Sequence, residues 1–537
     1  FYGWYTQQSG QGTRLTDENG IMLRAYGSPY DTTVYAHWVA AFEFVVAKTN
    51  EDGSAKSYSV KAGSEIDKFE GSAVTIPSTY NGKPVTLIES NAFYDCDFTV
   101  LNIPNSVYTI ELISTDTGSA FSNCRYLEAI NVYDVGELVL EQDKRYFSED
   151  GVLYFEHETA VTNFKNTEVA YVPRGKEGTL VISDKAEVVP MGVLGSVDGT
   201  STYSSHDFTE VEIPYSVTKI EDKAFVSNSR VLKVTFLAAP VGEQEQELTL
   251  GQLVFQGCTK LETIDFPARL ATFDASVFDG CSKLASVNMA AASKNYSSID
   301  GVVLNKNGDK LLYYPRGRAA TEEHPEYAKY TTPESVTTIC SNAFSGAKLE
   351  EIVIGKNVTM IEPYAFSGTS DGKAYSGLAG NYKGMSASGL TSIIFEDGGE
   401  MPLTIAEGAF YGSASGLTEI TLPARLQTLG DYAFGAKSSL KTVTLESDSG
   451  SIQGGEFNYS NKAFISATIV NAAPYVTTLY LGKTVSADIN IAGIFGSRNL
   501  KTVEIHTDNP YLISEDQVIY DKGQTTIVYY LDSREGE

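Results

Sequence analysis

The chain has 537 residues, of which 42% are hydrophobic and 20% are charged, and it contains 47 glycines and 33 tyrosines. This length is too great for one hydrophobic core, so the chain folds either as several globular domains or as a repeat array, and its apolar content excludes wholesale disorder. The formal net charge of −28 opposes binding to nucleic acid or to anionic lipid. We therefore expect a soluble, β-rich protein that binds neither.

The first 40 residues differ from the rest of the chain. They contain FYGWYT at residues 1–6, a glycine-rich turn through Gly10 and Gly12, and DTTVYAHW at residues 31–38, which together hold both tryptophans. Short apolar runs joined by glycine turns are typical of β-hairpins. We predict a small β module over residues 1–40.

One phrase recurs through the remaining chain and ends each time in phenylalanine, usually as Ala-Phe. We call these the anchor phenylalanines, and they are Phe93, Phe121, Phe225, Phe255, Phe278, Phe344, Phe366, Phe410, Phe434, Phe464 and Phe495. Neighbouring anchors are spaced most closely at about 23 residues, which is a period typical of solenoids.

Each repeat continues from its anchor through a turn into a strand of the form Leu-x-x-Ile-x-Ile-Pro. In LETIDFP at residues 261–267, Leu261, Ile264 and Phe266 alternate with Thr263 and Asp265. Side chains of a strand point alternately to opposite faces, so the apolar set points inward and the polar pair outward. One unit cannot bury this apolar face alone, and we therefore predict stacked coils.

The spacing and the Ala-Phe anchor resemble the BspA-type leucine-rich repeats of bacterial surface proteins over about residues 42–537. The phrase at residues 76–93 is similar to the first coil of that family, and the N-terminal phrases are similar to the Listeria-Bacteroides repeat. The resemblance implies a β-rich, right-handed and elongated solenoid with coils of about 23 residues and one parallel strand per coil. It divides the chain into the β module at 1–40, a linker and N-terminal cap at 41–92, and the solenoid at 93–537.

Three related segments interrupt the array near residues 147–175, 297–317 and 513–531. Each predicts a β-hairpin, and in the last two the polar loops at residues 305–309 and 521–524 join apolar strands. The third copy stops where the second continues with proline, so we expect the chain to be a fragment of a longer protein.

A further insertion, Thr369 to Gly389, is rich in glycine, serine and tyrosine. It is either a protruding functional loop or a tolerated surface insertion.

Four of the five cysteines, Cys96, Cys124, Cys258 and Cys281, lie three residues after an anchor phenylalanine, while Cys340 lies four residues before one. A recurring slot of this kind predicts buried, unpaired thiols that act as small apolar side chains. Disulfides between Cys96 and Cys124 or between Cys258 and Cys281 remain open for an exported protein.

The sequence contains no CxxC or HExxH zinc pattern, no nucleophile elbow, no Walker loop and no EF-hand loop. We accordingly expect no catalytic residue, metal or cofactor.

The outward strand positions form the candidate binding face, because stacked coils would align them into ladders and solenoids bind partners on such surfaces. They are equally compatible with a role as soluble strand formers. The candidate residues are Glu210, Glu212, Thr263, Asp265, Ser286, Asn288, Glu419, Thr421, Thr442, Thr444, Thr502 and Glu504.

The resemblance implies a non-enzymatic adhesin or interaction scaffold at the cell surface or outside the cell. We expect it to be monomeric, without membrane insertion, and to bind host matrix proteins, other surface proteins or glycans. The alternative is an accessory or catalytic region of a surface enzyme that degrades polysaccharides or peptides. A buried pair of carboxyl groups with strongly shifted pKa values in a deep cleft would favour the enzyme.

Overall fold

The computed structural model of the protein forms two compact units. Unit 1 comprises residues 1–193 and 200–208, and unit 2 comprises residues 194–199 and 209–537. The structure describes residues 3–5, 15–16, 33–37, 41–112, 118–136, 145–158, 165–195, 206–242, 246–366, 390–411, 416–434, 439–446, 457–458, 463–464, 475–495 and 499–531. The predicted insertion at Thr369 to Gly389 lies outside these residues.

Unit 1 consists of short strands and one 3-10 helix, Ile66–Phe69. Its strands are β1 (Gly3–Tyr5), β2 (Tyr35–His37), β3 (Phe42–Thr49), β4 (Ala55–Ala62), β5 (Ala73–Thr75), β6 (Thr79–Tyr80), β7 (Lys83–Ile88), β8 (Val100–Pro104), β9 (Thr109–Ile110), β10 (Ala129–Tyr133), β11 (Arg145–Glu149), β12 (Val152–Glu158), β13 (Lys165–Tyr171), β14 (Gly178–Val181) and β15 (Val188–Val189).

Unit 2 has the same strand-rich character. Its strands are β16 (Phe208–Ile213), which begins at the last residue of unit 1, β17 (Lys219–Ile220), β18 (Lys233–Phe236), β19 (Thr249–Leu250), β20 (Thr263–Phe266), β21 (Ser286–Met289), β22 (Tyr296–Ile299), β23 (Val302–Asn305), β24 (Lys310–Tyr313), β25 (Lys329–Thr331), β26 (Thr338–Ile339), β27 (Glu351–Ile354), β28 (Met360–Ile361), β29 (Ser392–Phe395), β30 (Leu403–Ile405), β31 (Glu419–Leu422), β32 (Leu426–Leu429), β33 (Thr442–Leu445), β34 (Phe457–Asn458), β35 (Ala463–Phe464), β36 (Thr478–Leu481), β37 (Thr502–Ile505), β38 (Leu512–Glu515), β39 (Val518–Asp521) and β40 (Ile527–Tyr530). Helical segments are the 3-10 helices Ala275–Phe278 and Pro325–Ala328 and the α-helix α1 (Ile491–Phe495).

The strands of the Leu-x-x-Ile-x-Ile motif pair in parallel with the equivalent strand of the next coil. In unit 2, β27 pairs with β25 and β29, and β31, β33, β36 and β37 form a four-stranded parallel sheet. On β20, Ile264 and Phe266 are buried while Thr263 and Asp265 are exposed. The predicted inward and outward positions of this strand are therefore confirmed.

The prediction of one strand per coil is wrong. Each of several coils also carries a second, shorter strand, and β24, β26, β28, β30 and β32 follow one another in a second sheet. Within it, Met360 pairs with Thr404, and Ile361 with Ile405. The second strand forms because the Thr-x-Ile segment of one coil pairs through its backbone with the equivalent segment of the next coil. A coil therefore has two sides that form sheets.

The anchor phenylalanines form a third side of the coil. Those whose side chains the structure describes are all buried, and ring centroids of successive anchors lie 4.6 Å apart at Phe344 and Phe366 and 4.5 Å apart at Phe366 and Phe410. The Phe344 backbone N–H donates to the carbonyl of Ala365, and the Phe366 N–H donates to that of Ala409. The anchors thus connect neighbouring coils by both ring stacking and main-chain hydrogen bonds.

Several anchor turns contain left-handed backbone before the ring, after it, or on both sides. Lys223, Leu253 and Tyr432, each two residues before an anchor, have φ values of 58°, 57° and 54°. Gly257 and Gly280, two residues after an anchor, have φ values of 75° and 74°. Because glycine adopts this conformation without a Cβ clash, the turn explains why glycine so often follows the anchor in the sequence.

The three predicted hairpins are three-stranded antiparallel meanders, made by β11 to β13, β22 to β24 and β38 to β40. The polar loop at residues 305–309 lies where it was predicted, between β23 and β24. In the second meander, Tyr313 lies 5.4 Å from Phe278, and Tyr314 lies 5.1 Å from Phe344. The two tyrosines therefore continue the aromatic stack across the meander.

Of the N-terminal module the structure describes one antiparallel pair, β1 with β2, in which Trp4 pairs with Ala36. The Trp4 backbone N–H also donates to the hydroxyl of Thr16, at 3.1 Å. The paired strands β1 and β2 thus lie within the two phrases, residues 1–6 and 31–38, from which the module is predicted.

Candidate functional site

The outward positions of the four-stranded sheet form two continuous ladders. Ladder A contains Glu419, Thr442, Thr478 and Thr502 in direct register, and ladder B contains Thr421, Thr444, Tyr480 and Glu504. The inward residues between them, such as Val443 and Leu479, are buried. Six of the predicted face residues therefore lie together on one sheet, where none of them is buried.

The other six predicted residues lie on strands of two further sheets. Thr263 pairs with Ser286, and Asp265 pairs with Asn288, whose side-chain amide donates to the Asp265 carboxylate at 2.7 Å. Glu210 and Glu212 lie on β16 opposite Lys233 and Thr235 of β18. The ladders are continuous within each of these sheets, and no described strand pairing joins the three sheets.

A groove of about 550 Å³ opens at the carboxyl ends of the strands that carry ladder B. Its lining includes the ladder residues Thr444, Tyr480 and Glu504 together with Glu446 and His506. The remaining lining residues are Ala424, Leu481, Gly482, Lys483, Thr484, Ile505 and Thr507. We call it the Tyr480 groove.

Gly482 lines the groove where the backbones of two neighbouring coils approach closely. It follows directly after β36, and a Cβ there would lie 2.9 Å from the Leu445 carbonyl oxygen and 3.0 Å from the Cα of Glu446. Glycine therefore allows this approach, in which the Gly482 backbone N–H donates to the Leu445 carbonyl at 2.7 Å. Tyr480, two residues earlier, is 38% exposed.

Carboxylates outnumber cations around the Tyr480 groove. Lys483 lies 3.5 Å from the carboxylate of Asp508, so its charge is already compensated. His506 accepts a hydrogen bond at Nδ1 from the Asp508 backbone N–H, at 3.1 Å. Among the described residues, no ion pair compensates Glu446 or Glu504.

Unit 1 carries a polar ladder that the sequence prediction missed. The Asn131 amide donates to the Asn102 side-chain oxygen at 3.1 Å, and the Asn102 amide donates to the Thr75 hydroxyl at 2.9 Å. Asn131 also lines a second groove of about 550 Å³, in which Lys176 contacts the Asp150 carboxylate at 2.8 Å. The same alternation of inward and outward positions marks Asn102 in LNIP and Tyr480 in TLYL, so it could have identified both.

Among the carboxyl groups that the structure describes, none forms the buried pair that would favour the enzyme. Burial raises the pKa of Glu187, but Glu187 lines neither groove. The Lys185 ammonium and the Ser183 hydroxyl hold the pKa of Glu149 below its ordinary value. Within the described part of the chain, no cluster of three His, Cys, Asp or Glu residues could hold a metal ion.

The cysteine slot after the anchors is buried, as predicted: Cys96, Cys124, Cys258 and Cys281 are at most 1% exposed, and all are free thiols. The Cys124 thiol donates to the carbonyl of Phe93 at 2.9 Å, and the Cys281 thiol to that of Phe255 at 3.0 Å. The slot thus does more than fill space, because its side chain donates to the anchor carbonyl of the preceding coil.

Comparison with known families decides the identity of the repeat. The model of the BspA type leucine-rich repeat region matches in six copies over residues 72–166, 199–306, 322–373 and 383–477, which together make up more than half of the chain. The chain belongs to the BspA-type leucine-rich repeat family. Its anchors, two-sheet coils and cysteine slots are therefore the parts of a BspA-type repeat.

Solved structures of leucine-rich repeat proteins are similar to this BspA-type chain at low identity. The pneumococcal vaccine antigen PcpA is 18% identical, with 87% of this chain and 98% of that chain covered and a TM-score of 0.41. A leucine-rich cell surface protein from Faecalibacterium prausnitzii is 17% identical, with coverages of 88% and 95% and a TM-score of 0.38. A leucine-rich repeat protein from Bacteroides ovatus is 16% identical, with coverages of 88% and 100% and a TM-score of 0.43.

No curated protein sequence matches the chain. Within the residues that the structure describes, no helix is both long and apolar enough to cross a membrane.

Proposed function

We propose that this BspA-type protein is an interaction scaffold at the bacterial cell surface or outside the cell, and that it acts as an adhesin for host matrix proteins, other surface proteins or glycans. The observation that carries the proposal is the pair of ladders on the four-stranded sheet. Eight polar or aromatic side chains stand there in register, and the backbone beneath them is fixed by main-chain pairing.

Such a surface suits recognition because its side chains are held at fixed spacings before a partner arrives. Neighbouring strands of a sheet lie about 4.8 Å apart, so each ladder presents one side chain per coil at that repeat. A preorganised surface loses less conformational entropy on binding than a flexible one. The proposed right-handed stacking of coils would extend this arrangement along the array, and specificity would depend on the outward residues.

A matrix-protein and glycan array tests the proposal, with the hits measured again in solution. Arginines introduced together at Thr442 and Thr478 would cover ladder A without changing the buried side of the sheet. We expect them to weaken binding of the array ligand at least about tenfold, since interface centres dominate affinity.

The matched control introduces arginines at Thr338 and Thr404, which lie on the second sheet, each paired with Met360, and are not part of the candidate face. This control adds the same charge and should leave affinity within about twofold, given the separate sheet. Absence of any array ligand, or equal losses in the two double variants, would refute the proposed face.

A further inference from the structure

We infer that the Tyr480 groove is a docking site for an arginine side chain of a partner polypeptide. The inference rests on the proposed function, because it names the chemical class of partner for one end of the ladder face. It is carried by three features, which are a partly exposed aromatic residue, two carboxylates that line the same groove, and a groove volume of about 550 Å³.

The aromatic ring supplies the flat surface. Tyr480 pairs with Thr444 on one side and with Glu504 on the other, so its ring stands between the outward side chains of two neighbouring strands. A guanidinium group placed over the face of a tyrosine is attracted by the ring quadrupole and stacks against it as a plane. Tyr480 is 38% exposed and lines the groove.

The carboxylates supply the charge complement. Glu504 pairs with Tyr480 across the strands, and Glu446 lines the same groove. Lys483 is paired with Asp508 at 3.5 Å and does not cancel these charges. A carboxylate accepts two parallel hydrogen bonds from a guanidinium, which is a geometry that an ammonium group cannot match.

The net charge of the whole chain favours the same class of partner. At −28, the protein attracts cationic segments and repels acidic ones. Neutral sugars would also stack on a tyrosine and donate hydroxyl hydrogen bonds to a carboxylate, but without a positive charge they would gain nothing from this field. The charge distribution therefore favours an arginine-bearing polypeptide.

Fluorescence anisotropy with a labelled peptide of alternating arginine and glycine tests the inference on the full chain. Three further labelled probes serve for comparison. They are a lysine-glycine peptide and a serine-glycine peptide, both of equal length, and a cello-oligosaccharide. We expect the arginine peptide to bind most tightly and Tyr480→Ala to weaken it about three- to tenfold, whereas Tyr480→Phe retains binding because it keeps the ring. Glu446→Gln and Glu504→Gln should each weaken it by a similar factor.

The matched controls are Tyr475→Ala, an exposed tyrosine outside the groove, and Glu400→Gln, an exposed glutamate outside both the groove and the ladders. Both should change affinity less than about twofold, since neither contacts the groove. Equal losses in control and groove variants would mean that only the net charge attracts the peptide, and would overturn the inference. Binding of the oligosaccharide that depends on Tyr480 and not on the two glutamates would overturn it in favour of a sugar site.

The two proposals fail separately. An array ligand that is lost with arginines on ladder A but bound normally by Tyr480→Ala and Glu504→Gln supports the scaffold and refutes the arginine site. An array without any hit refutes the scaffold, and the peptide series still decides whether the groove binds arginine.

Discussion

In several coils, a single side chain in the slot after the anchor connects the coil to the previous one. Cys258 and Cys281 donate from sulfur to the carbonyls of Phe225 and Phe255, at 3.4 Å and 3.0 Å. Asn228 occupies the same slot and donates to the carbonyl of Leu194 at 2.9 Å. The slot after Phe344 holds the buried Ala347, which has no side-chain donor, so among the described slots this connection is made only where the slot holds cysteine or asparagine.

The buried thiol at Cys281 should make stability depend on alkaline pH. Burial raises the pKa of this thiol from 9.0 to about 12. The unfolded chain loses its proton first, so the stabilisation is present below pH 9 and is lost as the pH rises toward 12. Relative to Cys281→Ser, which cannot ionise, the wild type should lose about 1.4 kcal/mol of unfolding free energy per pH unit from pH 9 to 11. Urea denaturation at each pH measures the difference.

Subtracting the serine variant removes the contributions of the buried tyrosines, which are the same in both proteins. Parallel pH profiles would show that the Cys281 thiol ionises as freely in the folded state as in the unfolded one.

The hydrogen bond with Cys124, together with burial, also raises the pKa of the Cys96 thiol. Counting thiols after denaturation without reductant should find five, and fewer would show that a pair such as Cys96 and Cys124 is oxidised.

Burial of the cysteine slot could be predicted from the sequence, but its hydrogen bond could not. The recurrence of cysteine after an anchor reveals a shared position, and small apolar character predicts an inward side chain. The acceptor is a carbonyl from the preceding coil, 26 residues earlier in the case of Cys281. No local pattern contains that partner, since the two residues meet only when coils stack.

At the scale of elements, the longer strand of each coil was predicted correctly and the shorter one was missed. The longer strand spans four residues with clear alternation, as in β20 and β31. The shorter strand contains two residues in β26 and β28. Two residues carry no periodicity, and they are a strand only because the adjacent coil pairs with them.

The meanders show the same limit of local reasoning. Their turns were located by their polar loops, while the first strand of the second and third meanders, β22 and β38, was missed. Tyr313 and Tyr314 look like an ordinary apolar strand ending in the sequence. Only the structure shows that Tyr314 takes the place of an anchor, because its backbone N–H donates to the Ala343 carbonyl just as an anchor N–H does to the next coil.

A buried ion pair joins the second meander to the coils around it, and it gives a prediction for these elements. Arg316 contacts the carboxylate of Asp279, and it donates to the Ser345 hydroxyl at 3.1 Å. Both side chains of the ion pair are only 8% exposed. Asp279→Ala leaves the guanidinium buried without a counter-charge and should cost about 3–5 kcal/mol of unfolding free energy.

The double variant Asp279→Ala with Arg316→Met should be more stable than the sum of the single losses, because it removes both buried charges together. Chemical denaturation of the four proteins in the cycle measures this coupling. The exposed pair of Lys283 and Glu262, 3.7 Å apart, is the control, and Lys283→Ala should cost less than about 1 kcal/mol. Additive losses at Asp279 and Arg316 would mean that their ion pair does not couple the meander to the coil.

At the scale of the whole molecule, the sequence predicted the repeat family and placed the candidate binding face only in outline. The family was accessible because many copies of one phrase agree in phase. The candidate face was accessible as a set of outward positions, but its division among separate sheets depends on where meanders interrupt the array. The Tyr480 groove brings together Glu446, Lys483 and His506, which are far apart in the chain. Such a grouping becomes visible only once the neighbouring strands are in register.

The repeat architecture predicts that damage to one coil of unit 2 stays local. Phe278 is fully buried and lies 5.6 Å from Phe255, so Phe278→Ala removes a ring from the stack and should cost about 3–5 kcal/mol. Coils exchange contacts mainly with their neighbours, so the interfaces beside Phe278 should open while coils near Phe434 stay close to native. Hydrogen exchange should rise steeply at residues 255–300 and little beyond residue 400, and Tyr475→Ala, which truncates an exposed ring, should change neither region. A uniform rise along unit 2 would instead indicate one cooperative core, because the loss at Phe278 would then be shared by every coil.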